Sequence, residues 1–218
     1  MVSARAFVRR HTRLQAVEGV NDIRLHLSDD VLVLWRAVQD ATGDRDAPIP
    51  FWAFAWGGGL ALASYLRDHP EVVAEKRVLD IASGSGLCAI AAMRTGAAEV
   101  TAIDIDPFAV AAVDINARAN GQRIEVQLAD LLDDDPPDVD VILAGDCWYE
   151  EGFGTRLTAW LLRASERGSD VLIGDPGRRY LDHGVVHELA TYEVRSTTDL
   201  EDLGRTTASV YEMWNPAS

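Results

Sequence analysis

The chain has 218 residues, a formal net charge of −15 and 48% hydrophobic residues. This length and apolar content suit one globular unit with a small extension and exclude a disordered chain. The acidity argues against nucleic acid as a partner, which would need a phosphate-neutralising surface, and no apolar run approaches the roughly 18 residues that span a membrane.

Residues 1–50 read as an N-terminal extension packing on a core formed by residues 51–218. The Arg-rich start predicts a helix over residues 4–14. The apolar spacing of residues 31–40 fits either a strand or a helix, and residues 42–50 read as a loop. Then comes Phe51-Trp52-Ala53-Phe54-Ala55-Trp56-Gly57-Gly58-Gly59, with a helix expected over 60–69. Three glycines after a Trp mark a bend or a close backbone approach. The aromatic residues form either a core wedge or a pocket wall.

From residue 77 onward, apolar runs alternate with helical segments. Strands are predicted at 77–81, 99–104, 124–128, 139–144 and 171–174, and helices at 86–95, 107–120 and 153–166. An acidic loop covers 133–137. Residues 187–197 and 206–214 read as two adjacent closing strands joined by a polar turn. Right-handed crossovers then give a doubly wound α/β fold, Rossmann-like, with helices on both faces of a mostly parallel sheet.

The site argument rests on residues 77–106. Gly84 and Gly86 let the backbone turn sharply beside a ligand, and the following helix aims its N-terminal N–H groups at the same point. Asp104 ends the next strand about 20 residues on, where a carboxylate takes ribose hydroxyls. Asp80 precedes the turn. It would repel a pyrophosphate but suits a cationic amino acid moiety, as in S-adenosyl-L-methionine; it also reads as a turn carboxylate. Asp130 and Asp146 fall at the ends of two further strands. Four carboxylates on one sheet edge are costly unless cations or hydroxyls meet them.

Asp80-x-Ala82-x-Gly84-x-Gly86 resembles motif I of the class I methyltransferases, with Ala82 where the first glycine usually stands. Phe51-Trp52-Ala53-x-x-Trp56-x-Gly58-Gly59, Asp104-Ile105-Asp106-Pro107, Gly145-Asp146-x-x-Tyr149 and Leu172-Ile173-Gly174-Asp175-Pro176-Gly177-Arg178 extend the likeness over nearly the whole chain. Together they resemble the nicotinamide N-methyltransferase-like family of seven-strand protein lysine methyltransferases, including bacterial relatives. The resemblance implies a seven-stranded sheet with an antiparallel closing strand, S-adenosyl-L-methionine as cofactor, and transfer to a lysine of a protein such as the electron transfer flavoprotein β subunit. It implies Asp146 and Tyr149 as the catalytic pair. The cofactor set is Trp56, Asp80, Ala82, Gly84, Gly86, Asp104, Ile105, Ala129, Asp130 and Asp146. Departures at Ile49, where an acidic residue is frequent, and Gly57, where Pro is frequent, bear on the substrate mouth. A small-molecule N-methyltransferase and a non-catalytic S-adenosylmethionine-binding module remain alternatives.

Lys76 is the only lysine beside 19 arginines, which suggests a GC-rich bacterial genome. Cys88 and Cys147 have no partner motif, so reduced thiols in a cytoplasmic protein are expected, without a metal site; a monomer is expected as well. His183 and His187 stand at helical spacing, most simply as a solvated face.

Overall fold

The computed structural model describes residues 3–195 and 205–214. Helix α1 covers Ala4–His11, shorter than its sequence suggested. Ser3 caps its start by accepting the Ala6 N–H, and Arg9, Arg10 and His11 occupy its last turn, where positive charge suits the helix dipole. Thr12 is extended and starts a hairpin of β1, Arg13–Val17, and β2, Val20–Leu27. The sequence reading overlooked this hairpin. Its signal was Glu18-Gly19 beside an alternating segment: Ile23, Leu25 and Leu27 of β2 are buried while Asp22 and Arg24 face out.

The ambiguous segment is helical: α2 spans Val31–Thr42, capped by the Asp30 carboxylate. A single tight turn at Phe51–Ala53 leads to α3, Gly57–Asp68. The three glycines therefore open the helix rather than precede it. Gly57 is the first helical residue, a position that also accepts Pro, which accounts for that departure from the family pattern. Helix propensity alone would reject such a start. It survives because a close backbone approach requires it: a Cβ on Gly58 would lie 2.2 Å from the Gly174 carbonyl oxygen.

The core continues as β3 (Arg77–Ile81), α4 (Leu87–Arg94), β4 (Glu99–Asp104), α5 (Pro107–Ala119), β5 (Glu125–Leu128), β6 (Val141–Gly145), α6 (Glu151–Glu166) and β7 (Asp170–Asp175). Strands β8 (Val186–Arg195) and β9 (Arg205–Met213) close the chain. The end of the predicted strand 187–197 and the polar turn fall outside the described residues. His183 lies in a turn and His187 on β8, so they share no helical face.

The seven strands run in the order β5-β4-β3-β6-β7-β9-β8. The first five are mutually parallel, and β9 runs antiparallel to both β7 and β8. Alternation splits the core into two layers. Val78, Val100, Val141, Leu143 and Leu172 pack beneath α3 and α4. Leu79, Ile81, Ile103, Ile142 and Ile173 face α6 through Leu157, Trp160 and Leu161.

The N-terminal segment is tied to this frame by two asparagines of the α5 region. Asn116, fully buried, accepts the His26 N–H at 2.8 Å and donates to the Ser85 carbonyl at 2.9 Å. It is thus an internal clamp between the N-terminal hairpin and the turn before α4. Asn120 caps α5 and exchanges two hydrogen bonds with the Arg24 backbone.

Candidate active site

The parallel strands β3, β4 and β6 end side by side, so the loops that follow them share one edge of the sheet. A cavity of about 520 Å³ opens there, within the size range of small-molecule sites. Asp80, Asp104, Asp130 and Asp146 all line it, as do Trp56, Ala82, Gly84, Ile105, Ala129 and Tyr149. The structure thus brings the sequence-predicted site together, with one exception. Gly86 is absent from the wall. It caps α4 in a left-handed conformation with φ 78°, and a Cβ there would press on Val113 at 3.0 Å, so its role is packing against α5.

Asp80 is buried, and its carboxylate accepts the Ala89 N–H of α4 at 3.1 Å. Both readings of this residue therefore hold in one geometry: it braces the helix and still borders the cavity. Burial raises its pKa to about 8, helped by the nearby Asp104 and opposed by the Ala89 bond. Asp104 accepts from Gly84 N and Asp106 N, both at 2.9 Å. Burial also raises the pKa of Asp104 and lifts Asp106, which accepts from Phe108 N, to about 6.

Raised carboxylate pKa values have a fixed sign. Asp80 contributes stability to the folded state that is fully present below about pH 4 and lost as pH rises through about 8. A cation in the cavity reverses this by favouring the ionised form. Binding of S-adenosylhomocysteine, which carries an ammonium, is therefore expected to release about one proton at pH 7. Calorimetry in buffers of different ionisation enthalpy reads this directly. A binding heat independent of buffer would remove Asp80 and its neighbours as cation receptors.

Ala82 has φ 51°, the left-handed region that costs a residue with a Cβ roughly 1–2 kcal/mol. The family pattern places glycine here, and the strain shows why. Ala82→Gly is expected to stabilise the protein by about 0.5–1 kcal/mol after the extra unfolded-state entropy of glycine is deducted. Thermal unfolding should show a rise of roughly 1–4 °C; a fall would mean the backbone is held there at no cost.

Asp146 follows β6 and also has positive φ, 59°. Its N–H donates to the Gly174 carbonyl at 2.8 Å, and its Oδ2 accepts the Gly59 N–H at 2.6 Å. The glycine contact between α3 and β7 thus points the N-terminus of α3 at this carboxylate, a favourable arrangement for a negative charge. Oδ1 accepts from an Arg178 guanidinium nitrogen at 3.2 Å. Arg178 is in turn held by Asp175, which is fully buried and accepts the Gly177 and Arg178 N–H groups at 2.8 and 2.5 Å. The sequence named Arg178 only as the last residue of the Leu172–Arg178 motif. Its register at the end of β7, beside β6, was the signal that it could reach Asp146.

Tyr149 stands half-exposed at the rim, its ring 5.1 Å from Phe51 and 5.6 Å from Phe153. Burial raises its pKa to about 12, so it stays protonated near neutrality. Trp56 packs edge-on to Phe51 and Phe54 and donates its Nε1–H to the Phe51 carbonyl. These rings form an aromatic wall. Trp52 also borders the cavity but is buried and stacked on Phe108. Trp148 is core: it is fully buried and donates to Thr158. Asp130 sits at the opposite rim, accepting the Leu132 N–H at 3.1 Å and facing Arg156 at 3.5 Å. The cavity thus offers carboxylates for hydroxyl and ammonium groups at its floor, and rings with an anchored carboxylate at its mouth. That donor set fits S-adenosyl-L-methionine.

Comparison with known proteins agrees with this geometry. Residues 62–145 match the family model described as ribosomal protein L11 methyltransferase (PrmA). The chain is 35% identical over 213 residues to the electron transfer flavoprotein β subunit lysine methyltransferase of Xenopus laevis, covering 95% of this chain and 85% of that one. It is 40% identical over 169 residues to the Mus musculus protein of the same name, covering 75% of this chain. It spans 66% of the length of the mouse protein, just under two thirds. Among solved structures, PH1948 from Pyrococcus horikoshii, provisionally named an RNA methyltransferase, superposes with a TM-score of 0.58 at 16% identity, covering 83% of this chain and 97% of that one; this likeness concerns the fold. The carboxylate-lined sheet edge and the near full-length identity lead to one conclusion: the chain belongs to the electron transfer flavoprotein β subunit lysine methyltransferase family.

Proposed function

We propose that the chain is an S-adenosyl-L-methionine-dependent protein lysine N-methyltransferase, acting on the β subunit of an electron transfer flavoprotein. The carrying observation is the convergence of Asp80, Asp104, Asp130 and Asp146 on a single cavity whose mouth holds Tyr149 and Trp56. S-adenosyl-L-methionine, when bound, supplies the methyl group on a sulfonium. Asp104 would hold ribose hydroxyls, Asp80 would meet the ammonium, and Asp130 with Ala129 would border the adenine. Asp146 accepts an N–H of the incoming lysine and aims its lone pair, while Tyr149, Phe51 and Trp56 exclude water from the lysine stem. Ring faces at the mouth also suit a cationic side chain, worth about 0.5–2 kcal/mol.

Within the family we place the chain in the nicotinamide N-methyltransferase-like branch of bacterial type. The motif set quoted above and the dominance of Arg over Lys support this. We further propose that it acts as a monomer, and the net charge of −15 disfavours nucleic acid as a partner. Cys88 and Cys147, free and buried, suit a reducing compartment such as the cytoplasm. Residues 1–50 serve as an extension of the methyltransferase domain 51–218, held by the asparagine clamps.

Incubation of purified electron transfer flavoprotein with the enzyme and labelled cofactor, followed by mass spectrometry, tests the reading. A methylated β-subunit lysine is expected. Label found only in small molecules would reassign the acceptor, and no label from an enzyme that binds S-adenosylhomocysteine would leave a binding module. Binding itself is read as a rise in melting temperature with S-adenosylhomocysteine.

A further inference from the structure

We infer that Arg178 is a positioning residue for methyl transfer: its guanidinium holds Asp146 and cancels its charge, so that the site receives the acceptor amine as the free base. The inference rests on the lysine-methylation reading above. It starts from a count of charges. Asp80, Asp104, Asp106, Asp130, Asp146 and Glu150 border the cavity, and Arg178 is the only basic side chain among the described residues that line it. Its guanidinium lies 3.2 Å from Asp146 Oδ1, at the end of β6. Its own backbone is pinned by Asp175, whose Oδ2 lies 4.0 Å from Arg178 Nε.

The chemistry needs such a device. A lysine amine has a reference pKa of about 10.4, and only its neutral form has a lone pair to give. An uncompensated carboxylate beside it would stabilise the ammonium and raise that pKa further. With Arg178 in place, Asp146 remains a hydrogen-bond acceptor for the amine but brings little net attraction for its proton. An arginine suits this task because it stays protonated throughout the working pH range.

Other ionisable groups face Asp146 from the surrounding elements. Asp80 comes from β3, Asp104 from β4, Cys88 from α4, Cys147 and Tyr149 follow β6, and Glu150 precedes α6. Asp175 ends β7 with His183 near it, and the N-terminus of α3 points inward. Burial holds both thiols and Tyr149 towards their neutral forms near pH 7, and the ammonium of a bound cofactor would offset Asp80. Against this background the Asp146–Arg178 pair sets the charge at the reacting nitrogen.

Arg178→Gln and Arg178→Lys are the test, with purified electron transfer flavoprotein as substrate and S-adenosylhomocysteine as binding probe. The pH profile of kcat, which reports ionisations in the enzyme–substrate complex, should rise on its acidic side as the bound amine loses its proton. Arg178→Gln is expected to move that limb up by about one pH unit, about a tenfold loss at a fixed pH on the limb, with Arg178→Lys restoring much of the wild-type position. S-adenosylhomocysteine should bind the Gln variant as tightly as wild type or tighter. An unmoved limb overturns the inference, since a merely structural role lowers activity without shifting it. So does a loss of S-adenosylhomocysteine affinity above about 30-fold with the limb unmoved, which would make Arg178 a receptor for the ligand carboxylate. If the Gln variant does not fold, Arg178→Met, closer to the arginine stem, carries the same readings. Wild-type enzyme that methylates no lysine would instead sink the functional reading, and this inference with it.

Discussion

Asp146→Asn is expected to lower kcat by about 1,000-fold while S-adenosylhomocysteine binding changes by less than about tenfold. The substitution keeps the side-chain size, and Asn tolerates the left-handed backbone at φ 59° better than most residues. What changes is the number of acceptors. A carboxylate has two accepting oxygens, whereas an amide has one and turns two donors outward. Gly59 N–H and Arg178 already claim the two oxygens, at 2.6 and 3.2 Å. The acceptor amine then competes for a single remaining oxygen beside an uncompensated guanidinium. Asp146→Ala is a poorer test, because it adds backbone strain and orphans the Gly59 N–H as well. Single-turnover rates and calorimetric binding separate the two effects. An Asn variant with wild-type kcat would remove Asp146 from the transfer step.

The largest stability loss is expected from Gly58→Ala. The new Cβ would sit 2.2 Å from the Gly174 oxygen, 2.5 Å from its carbonyl carbon and 2.8 Å from Asp146 Oδ2. Two of these atoms are backbone, so nothing yields without separating α3 from β7. A loss of about 4 kcal/mol or more follows, with a melting temperature lower by on the order of 10 °C. The same separation would pull the Gly59 N–H away from Asp146, so residual folded protein should be nearly inactive. Gly57→Ala is the control: its Cβ meets only side chains, the nearest at 3.4 Å, and its effect should stay within about 1 kcal/mol. If Gly58→Ala melts within about 2 °C of wild type, the helix is not seated as described.

The fold was legible because β3, β4, β6 and β7 are short apolar runs with an acidic or glycine signal at or just past their ends, and the intervening helix α5 carries a side-chain cap. Asp106-Pro107 shows this locally: the Asp106 carboxylate caps α5 and Pro107 is its first residue. The hairpin β1–β2 was missed because its first strand continues the polar, Arg-containing helix α1 without a composition change. Only pairing with β2 separates the two, Arg13 opposite Leu27 and Ala16 opposite Arg24. The start of α3 was misplaced because three glycines argue against a helix unless something outside it demands a bare backbone. That demand comes from Gly174, 116 positions further along the numbering.

Spacing along the chain determined which carboxylates reach the ligand edge, since parallel strands of similar length end together once their crossovers are right-handed. Asp80, Asp104, Asp130 and Asp146 follow from that rule. Tertiary structure decided what those carboxylates do. Whether Asp80 braces a helix, whether Asp146 faces an arginine, and whether Gly86 touches ligand or packs on Val113 depend on contacts between segments far apart in sequence. The reason is physical: strand and helix periods are local properties of the chain, whereas charge compensation and close backbone approach are set by neighbours that local periodicity does not encode.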